Sequence, residues 1–531
     1  MIPRVSKRVA TSIEHGESPR PSPQPEAAQT VNLSPADGRL AKRSKTRIGE
    51  TLAPLRAPPP QSQADDGRLV VVSNRMIDPK KPAAGGVAVA LAESVKDAGG
   101  VWFGWSGNVS NSRRAAEITE VPFGEAKLVG VDLTKRQFDN YYSGYYNSVL
   151  WPVMQNSAQW ADFKPQFYDG YKEVNKMFAS NLAPLLKKDD VLWVHDCHLI
   201  PLAEELRALG CQQRIGFFNH SPFPDPSLFK TIPQHQELMT SFLSYDLVGM
   251  QIPRDVDAFR AYVQKEKTAA DAGGGAENAL DRQIAVRHFP IGIDVAALEA
   301  LRPGEDSKAL IDQLKGERKQ GRMLMIGVER LDYAKGIPDR LAALGELLER
   351  RPDLIGKVTF VQIAAPSRQT VPAYAKLAKD TLALVNEINE RYGNKSWSPI
   401  VYVDHSVNRN ALPEIYRMSR VGVVTSVADG MNLVSKEYIA AQNPKNPGAL
   451  ILSTAAGSAH QLKQAIQVPP QDIAAIASAY EQAFEMRLGE RRERHEALQE
   501  NVRTEDLDKW RRDYLNALHA GSSSSRDSAP G

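Results

Sequence analysis

The sequence predicts an α/β protein of two domains, each built on a parallel sheet, with a cleft between them. Three observations carry this reading. A chain of 531 residues is longer than one hydrophobic core usually serves. Two separate series of short apolar runs alternate with helical patterns, as parallel strands joined by helical crossovers do. One stretch, Val421 to Tyr438 (VGVVTSVADGMNLVSKEY), reads as a buried strand running through a polar turn into a helix. Open α/β sheets hold their ligands at such a junction.

Composition narrows the class. Hydrophobic residues make up 42% and charged residues 24% of the chain, in the range of soluble globular proteins. No run approaches the roughly 20 apolar residues of a membrane span, and no secretory signal with an apolar centre is visible. A cytoplasmic protein with no membrane partner is expected. Cys197 and Cys211 are the only cysteines, too few for a disulfide framework and without metal-finger spacing. Residues 1–67 hold ten Lys/Arg against seven Asp/Glu, leaving 56 of each in the remainder, so the net charge of +3 sits in the first segment. A neutral body argues against a nucleic-acid partner.

Taken in order, residues 1–67 are rich in Pro, Ser, Gln and charge (PRPSPQP, APPPQSQ) and are expected to be disordered, because they bury too little apolar surface to offset ordering entropy. Lys42, Arg43 and Lys45 leave a targeting segment open, although acidic residues are interspersed. LVVVSNR, from Leu69, reads as a strand. Gly85-Gly86 and a helix over Val87 to Ala98 follow, with Val87, Leu91 and Val95 on one face and Gly99 behind. This is not the G-x-G-x-x-G dinucleotide fingerprint. Arg75 at the strand end suits either an anion or the open surface. Trp102, Trp105, Tyr141, Tyr142, Tyr145, Tyr146 and Trp151 are mostly core material, with some left to wall a sugar site.

VLWVHD, a helix from about Leu202, RIGFFNH, a helix near Gln234 to Leu243, DLVGMQ and VRHFPIGID then alternate, and DAGGGAENA is a surface loop. Asp196 and His220 both stand just past strand ends, where structural and functional roles are equally open. Consecutive residues of extended chain alternate faces, so His195, Asp196, Cys197 and His198 cannot all converge on one metal ion.

The second series is MLMIGV, a helix from about Pro338 to Arg350, KVTFVQIA, a helix over Pro372 to Tyr392, IVYVDH, a helix over Ala411 to Ser419, VGVVT and ALILST. Two such series give two Rossmann-like domains. Val421, Val423 and Val424 are β-branched, as expected of a strand covered on both faces. Asp429-Gly430 breaks the run, and Asn432 caps a helix carrying Leu433, Val434, Glu437 and Tyr438. Asp429 and Glu437 either flank a site for an anionic, hydroxyl-rich ligand or are a solvated turn and a surface carboxylate. Pro470 to Leu518, with Arg491-Arg492, Arg494 and Arg511-Arg512, reads as one or two surface helices bridging the domains. Gly521 onward reads as a short disordered tail.

In order and spacing, LVVVSNR, AGGVAVAL, WFGWSG, YYSGYYNSVLWP, VHDCHL, RIGFFNHSPFP, PIGID, VERLDYAKG, QIAAPSR, DGMNLVSKEY and AAGSAHQL resemble the trehalose-6-phosphate synthase family, from about Leu69 to Gln461. The resemblance implies a GT-B architecture, with an acceptor domain over 68–294, a nucleotide-sugar domain over 295–487, a bridging helix over 488–520, an extension over 1–67 and a tail over 521–531. It implies retaining transfer of glucose from a nucleotide sugar, UDP-glucose above all, to glucose 6-phosphate. It further implies no metal and no cofactor, small-molecule partners only, and a homo-oligomer, dimer or tetramer.

Carried over by residue, Arg330 and Lys335 match ligands of the donor diphosphate, where two cations neutralise the charge of the departing nucleotide. With Asp332 they could equally form a surface ion cluster. Gly85 and Gly86 match the backbone approach to the donor phosphates. Glu437 matches the ribose ligand, and Val407, Leu433, Val434, Ser435 and Lys436 match the rest of the donor side. Asp429 and His220 match ligands of the transferred glucose. Arg75, Tyr142, Trp151, Asp196 and Arg368 match the acceptor side. Three positions depart from the family pattern: Cys197 stands where Tyr is common, Ser221 where an apolar residue is, and His460-Gln461 where Asn-Glu is. Cys197 and Ser221 adjoin sugar ligands, so a glycerol 3-phosphate acceptor is the alternative enzyme. A catalytically silent sugar-phosphate sensor would be expected to lose Arg330, Lys335 or Asp429, and all three are present.

Overall fold

The computed structural model describes residues 67–78, 88, 91–92, 95–96, 99–110, 118–272, 284–368 and 371–520. Gly85, Gly86 and Val87 lie outside the described residues; of the helix expected there, Leu91 and Val95 are buried on one face.

The two strand series form two sheets. The first contains β1 (Leu69–Arg75), β2 (Val101–Ser110), β3 (Ile118–Phe123), β4 (Ala126–Thr134), β5 (Val191–His195), β6 (Arg214–Phe218), β7 (Leu247–Met250) and β8 (Ala285–His288). Their order is β3-β4-β2-β1-β5-β6-β7-β8, parallel except for the β3–β4 pair at one edge. The second contains β9 (Met323–Arg330), β10 (Val358–Ala365), β11 (Ile400–Val403), β12 (Val421–Val424), β13 (Ala449–Ser453) and β14 (Ile466–Val468), all parallel, in the order β11-β10-β9-β12-β13-β14. This is the doubly wound GT-B pair of Rossmann-like sheets that the sequence predicts.

Alternation of side chains along each strand supplies both faces of the core. Val70, Val72, Leu192 and Val194 go to one cluster, and Val71 and Trp193 to the other. In the second sheet Met325, Val421 and Val423 face one way, and Leu324, Ile326 and Val424 the other. Burial on both faces is what a parallel sheet requires, and it explains the near-continuous apolar runs.

In each sheet the strand order reverses once, between β1 and β5 and again between β9 and β12. At such a point adjacent crossovers lie on opposite faces and leave a crevice beyond the strand ends. Arg75 and Asp196 leave the first switch point, and Arg330, Lys335 and Asp429 leave the second.

Two elements differ from expectation. Phe138–Leu150 is a 13-residue π-helix, a rare form with an offset unlike the 3.6-residue pattern. Beyond Pro470 there are three helices, Ile473–Glu485, Leu488–Thr504 and Leu507–Ala520, rather than one or two on the surface. The last is docked, not exposed: Trp510, Tyr514 and Leu518 form a buried stripe at four-residue spacing, with the Trp193 ring of β5 4.8 Å from those of Trp510 and Tyr514, tilted against the first and stacked on the second. Its first turn meets the earlier crossing between the sheets where the Leu507 N–H donates to Ile293 O, 3.4 Å. Among the described residues no helix is long and apolar enough to cross a membrane.

Candidate active site

The loop leaving β9 forms a turn over Tyr333–Lys335 that delivers Lys335 to Asp429, Nζ to Oδ2 2.6 Å. The same carboxylate oxygen accepts from Ser426 Oγ at 3.3 Å and Asn432 Nδ2 at 3.1 Å. Asn432 sits at φ +79°, a region an Asn tolerates better than most side chains, and its Oδ1 accepts from Ser435 N at 2.9 Å, the predicted cap of the helix Leu433–Ala441. Asp429 is therefore part of a held site and not a solvated turn. Beneath it, the fully buried Arg340 donates to Lys335 O at 2.6 Å, Thr425 Oγ1 at 2.9 Å and Glu329 Oε2 at 2.7 Å, tying the ends of β9 and β12 together. Burial pushes the Glu329 carboxyl up to about 7, against the opposing pull of Arg340 and Lys335.

Glu437 is also no surface residue, being only 7% exposed. Tyr416 OH donates to its Oε2 at 3.4 Å and the Arg409 guanidinium lies 4.0 Å from Oε1; burial raises its pKa against both. Val407, Leu433 and Val434 pack half-buried on the same apolar cluster, and Ser435 is buried against Ser458 Oγ at 2.9 Å. Lys436 points elsewhere. Its Nζ donates to Ile291 O at 2.8 Å, in the crossing between the sheets, and burial pulls its pKa down to about 7. Only its backbone is left for a ligand on the Glu437 side.

At the first switch point Arg75 is exposed, its guanidinium carbon 5.4 Å from the Trp105 ring, which in turn lies 5.9 Å from Tyr142. Asp196 has φ +73° and accepts from Tyr146 OH at 3.3 Å and Ser221 Oγ at 3.4 Å. Burial opposes its charge, but His198, His220 and the Cys197 N–H hold the carboxyl well below the usual range. Two of the three departures from the family pattern touch this group: Ser221 directly, and Cys197 through Sγ at 3.6 Å, with a second contact to Asn219 Oδ1 at 3.0 Å. His220 Nε2 meets His195 Nδ1 at 3.1 Å; burial pulls the His220 pKa down to about 4 and that of His195 well down, so both rings are neutral near pH 7 and one donates its N–H to the other.

The two switch points face each other. A Cβ added to Gly430 would fall 2.0 Å from His220 O, so only glycine lets the Asp429 turn lie against the β6 exit. Trp151, at the end of the π-helix, reaches across and donates from Nε1 to Asp332 Oδ1 at 3.4 Å. Arg368 lies over the Trp151 ring at 4.0 Å and Arg330 at 5.7 Å. The structure thus brings Arg330, Lys335, Asp429, His220, Asp196, Trp151 and Arg368 to one cleft, with Glu437 on the helix that follows Asp429 and the exposed Arg75 beside Trp105 and Tyr142. Sequence reasoning left Tyr146 among aromatics that are either core or sugar-site wall, weighed His195 only as a metal ligand, and passed over Arg340, Tyr374 and the central place of Asp332. Tyr146, His195 and Asp332 carried a signal, their places inside the YYSGYYNSVLWP, VHDCHL and VERLDYAKG motifs, and Arg340 and Tyr374 carried none.

Among the described residues no group of three His, Cys, Asp or Glu side chains converges as metal ligands would. The family model described as glycosyltransferase family 20 matches residues 68–520. The chain is 40% identical over 454 residues to a trehalose-6-phosphate synthase of Enterobacter sp., covering 85% of this chain and 95% of that protein. Among solved structures, a UDP-forming alpha,alpha-trehalose-phosphate synthase from Burkholderia vietnamiensis aligns with TM-score 0.80 at 40% identity, covering 86% of this chain and 99% of the other. One from Burkholderia xenovorans, in complex with glucose-6-phosphate, aligns with TM-score 0.79 at 38% identity, covering 85% and 100%. With this coverage, the chain belongs to glycosyltransferase family 20, the family of the trehalose-6-phosphate synthases.

Proposed function

We propose that the cleft transfers glucose with retention from UDP-glucose to glucose 6-phosphate, giving trehalose 6-phosphate and UDP without a metal ion. The observation that carries this reading is the opposition of two switch points with cations enough for two anions: Arg330, the Lys335–Asp429 pair and Arg368 leave β9, β12 and β10 of the second sheet, Arg75 and the hydroxyl-accepting Asp196 leave the first, and the two meet where Gly430 approaches His220.

In this reading Arg330 and Lys335 hold the donor diphosphate and Glu437 accepts from the ribose hydroxyls. Val407 and the segment Leu433 to Lys436 complete the nucleotide side, the last through backbone. Asp429 and His220 hold hydroxyls of the transferred glucose. Asp196 holds acceptor hydroxyls, while Arg368, Arg75, Tyr142 and Trp151 surround the acceptor phosphate. The acceptor oxygen bonds to the anomeric carbon on the face from which the phosphate leaves. The C–O bond to phosphate breaks with its electron pair going to UDP, and the acceptor hydroxyl proton passes to the departing phosphate oxygen. Arg330 and Lys335 meet the charge that grows there, which lowers the barrier because it is stronger in the transition state than before it. Asp429 is engaged by three donors and serves as a ligand rather than a nucleophile.

The test incubates purified protein with UDP-, ADP- or GDP-glucose and with glucose 6-phosphate or glycerol 3-phosphate, with and without chelator, and identifies product and released nucleotide. UDP release with trehalose 6-phosphate, unaffected by chelation, is expected. Preference for glycerol 3-phosphate would replace the acceptor, and loss of turnover on chelation, restored by a divalent cation, would overturn the metal-free chemistry.

A further inference from the structure

We infer that Asp332 is a positioning residue that binds the two anion sites into one unit, one carboxylate oxygen holding the donor-side loop and the other holding Arg368. The inference rests on the function proposed above and names a group which that reading leaves without a role.

Asp332 is completely buried and every direction of its carboxylate is used. Oδ1 accepts the Ala334 N–H at 3.1 Å, capping the turn that ends in Lys335, and the Trp151 indole N–H at 3.4 Å. Oδ2 accepts Arg368 Nη1 at 2.5 Å and Tyr374 OH at 3.1 Å. Tyr374 OH lies 2.7 Å from the same Nη1, so the arginine is fixed at one nitrogen by two oxygens. The guanidinium carbon lies 4.0 Å from the centre of the Trp151 ring, and the buried Nε has no partner.

A buried carboxylate with one cation would be a structural ion pair. Here burial opposes the charge, and Arg368, Arg330 and Lys335 together hold the Asp332 pKa down, so one negative group answers cations from both sites. Arg368 is at φ +46°, an unfavourable region for arginine, and a side chain that long needs a fixed partner to be pre-oriented. Asp332 supplies it. It leaves the remaining N–H groups of Arg368 for a phosphate, while the same carboxylate sets the loop from which Lys335 reaches the diphosphate.

Asp332→Asn separates the two functions. The amide oxygen can still accept from Ala334 N and Trp151 Nε1, keeping the donor loop, but its NH2 group replaces Oδ2 and confronts Arg368 Nη1 with a donor. In the full-length protein, the glucose 6-phosphate KM of D332N should rise about tenfold, the size of a lost charge-assisted contact, while UDP-glucose affinity by calorimetry stays within about twofold. Adding D332N to Arg368→Met should cost at most about twofold more than R368M alone, because Asp332 acts through Arg368. If D332N does not fold, Tyr374→Phe replaces it: Y374F removes one holder of the same guanidinium and leaves the buried charge. Its smaller KM rise should vanish in the R368M background.

A wild type that makes no product would sink the function and this role together. A wild type that turns over, while D332N or Y374F keeps the wild-type acceptor KM or multiplies fully with R368M, would overturn the role alone.

Discussion

Lys335 and Asp429 meet at 2.6 Å, although 94 positions separate them and each leaves a different strand of the second sheet. The contact exists because β9 and β12 are neighbours at the point where the strand order reverses. Arg340 adds to it from below by holding the Lys335 carbonyl and both strand ends. An ammonium pre-placed in this way costs little reorganisation when charge develops on a departing phosphate. Lys335→Ala is accordingly expected to lower kcat and kcat/KM together, by about ten- to a hundredfold, the scale of one charge-assisted contact. Steady-state kinetics with both substrates varied checks it; a change in donor KM alone would assign Lys335 to ground-state binding.

Glu437 is expected to act through its charge. Glu437→Gln should weaken UDP-glucose binding by about 1.5 to 3 kcal/mol, measured by calorimetry. Because burial raises its pKa above the ordinary 4.5, donor affinity in the wild type should decline on acidification at a higher pH than an exposed carboxylate would give. The E437Q profile should be flat over that range.

The strand series, the capped helix after Asp429 and the cleft were legible in the sequence because each is written locally. β-branched runs such as VGVV, a turn pair such as Asp429-Gly430 and a capping Asn432 act over a few residues. What was not legible depends on register and distance. The π-helix Phe138–Leu150 shifts Tyr146 toward Asp196, and no periodicity argument distinguishes it from an ordinary helix. Asp332 reads as one polar residue in a loop, and its importance comes from Trp151 and Arg368, which approach from opposite sides of the cleft. Lys436 reads as a ligand beside Glu437, yet adjacent residues of a helix point about 100° apart, and its side chain goes to the crossing at Ile291.

Two buried groups give stability an unusual pH dependence. Glu329 titrates at about 7 in the fold against an ordinary 4.5, so between these values the folded protein holds a proton that the unfolded chain has lost. Its contribution to stability grows as pH falls through about 7. Lys436 titrates at about 7 against an ordinary 10.5, so between these values the unfolded chain holds the extra proton, and stability rises with pH. Urea unfolding at about pH 5.5, 7 and 9 should show the lowest stability from these two groups near pH 7. Glu329→Gln should flatten the acid side and Lys436→Met the alkaline side; profiles unchanged by either substitution would contradict the assignment.

Breaking the buried pair from its other end should be costly. Arg340→Met leaves Glu329 without its cation and Lys335 O, Thr425 Oγ1 and Val423 O without this donor, and the expected loss is about 3 to 5 kcal/mol of unfolding free energy. Chemical denaturation of R340M against the wild type reads this directly, and a loss below about 1 kcal/mol, the scale of an exposed pair, would show that the site is hydrated enough to relax.

The central claim is that one cleft holds a diphosphate through Arg330 and Lys335 and a monophosphate through Arg368. The most direct measurement is UDP-glucose binding by calorimetry to Arg330→Ala and Arg368→Ala, alongside kinetics with glucose and glucose 6-phosphate as competing acceptors. Arg330→Ala should lose donor affinity and turnover while keeping its preference for the phosphorylated acceptor. Arg368→Ala should bind the donor as the wild type does and lose that preference by about ten- to a hundredfold. Loss of donor binding in Arg368→Ala, with the preference for glucose 6-phosphate intact, would contradict the account.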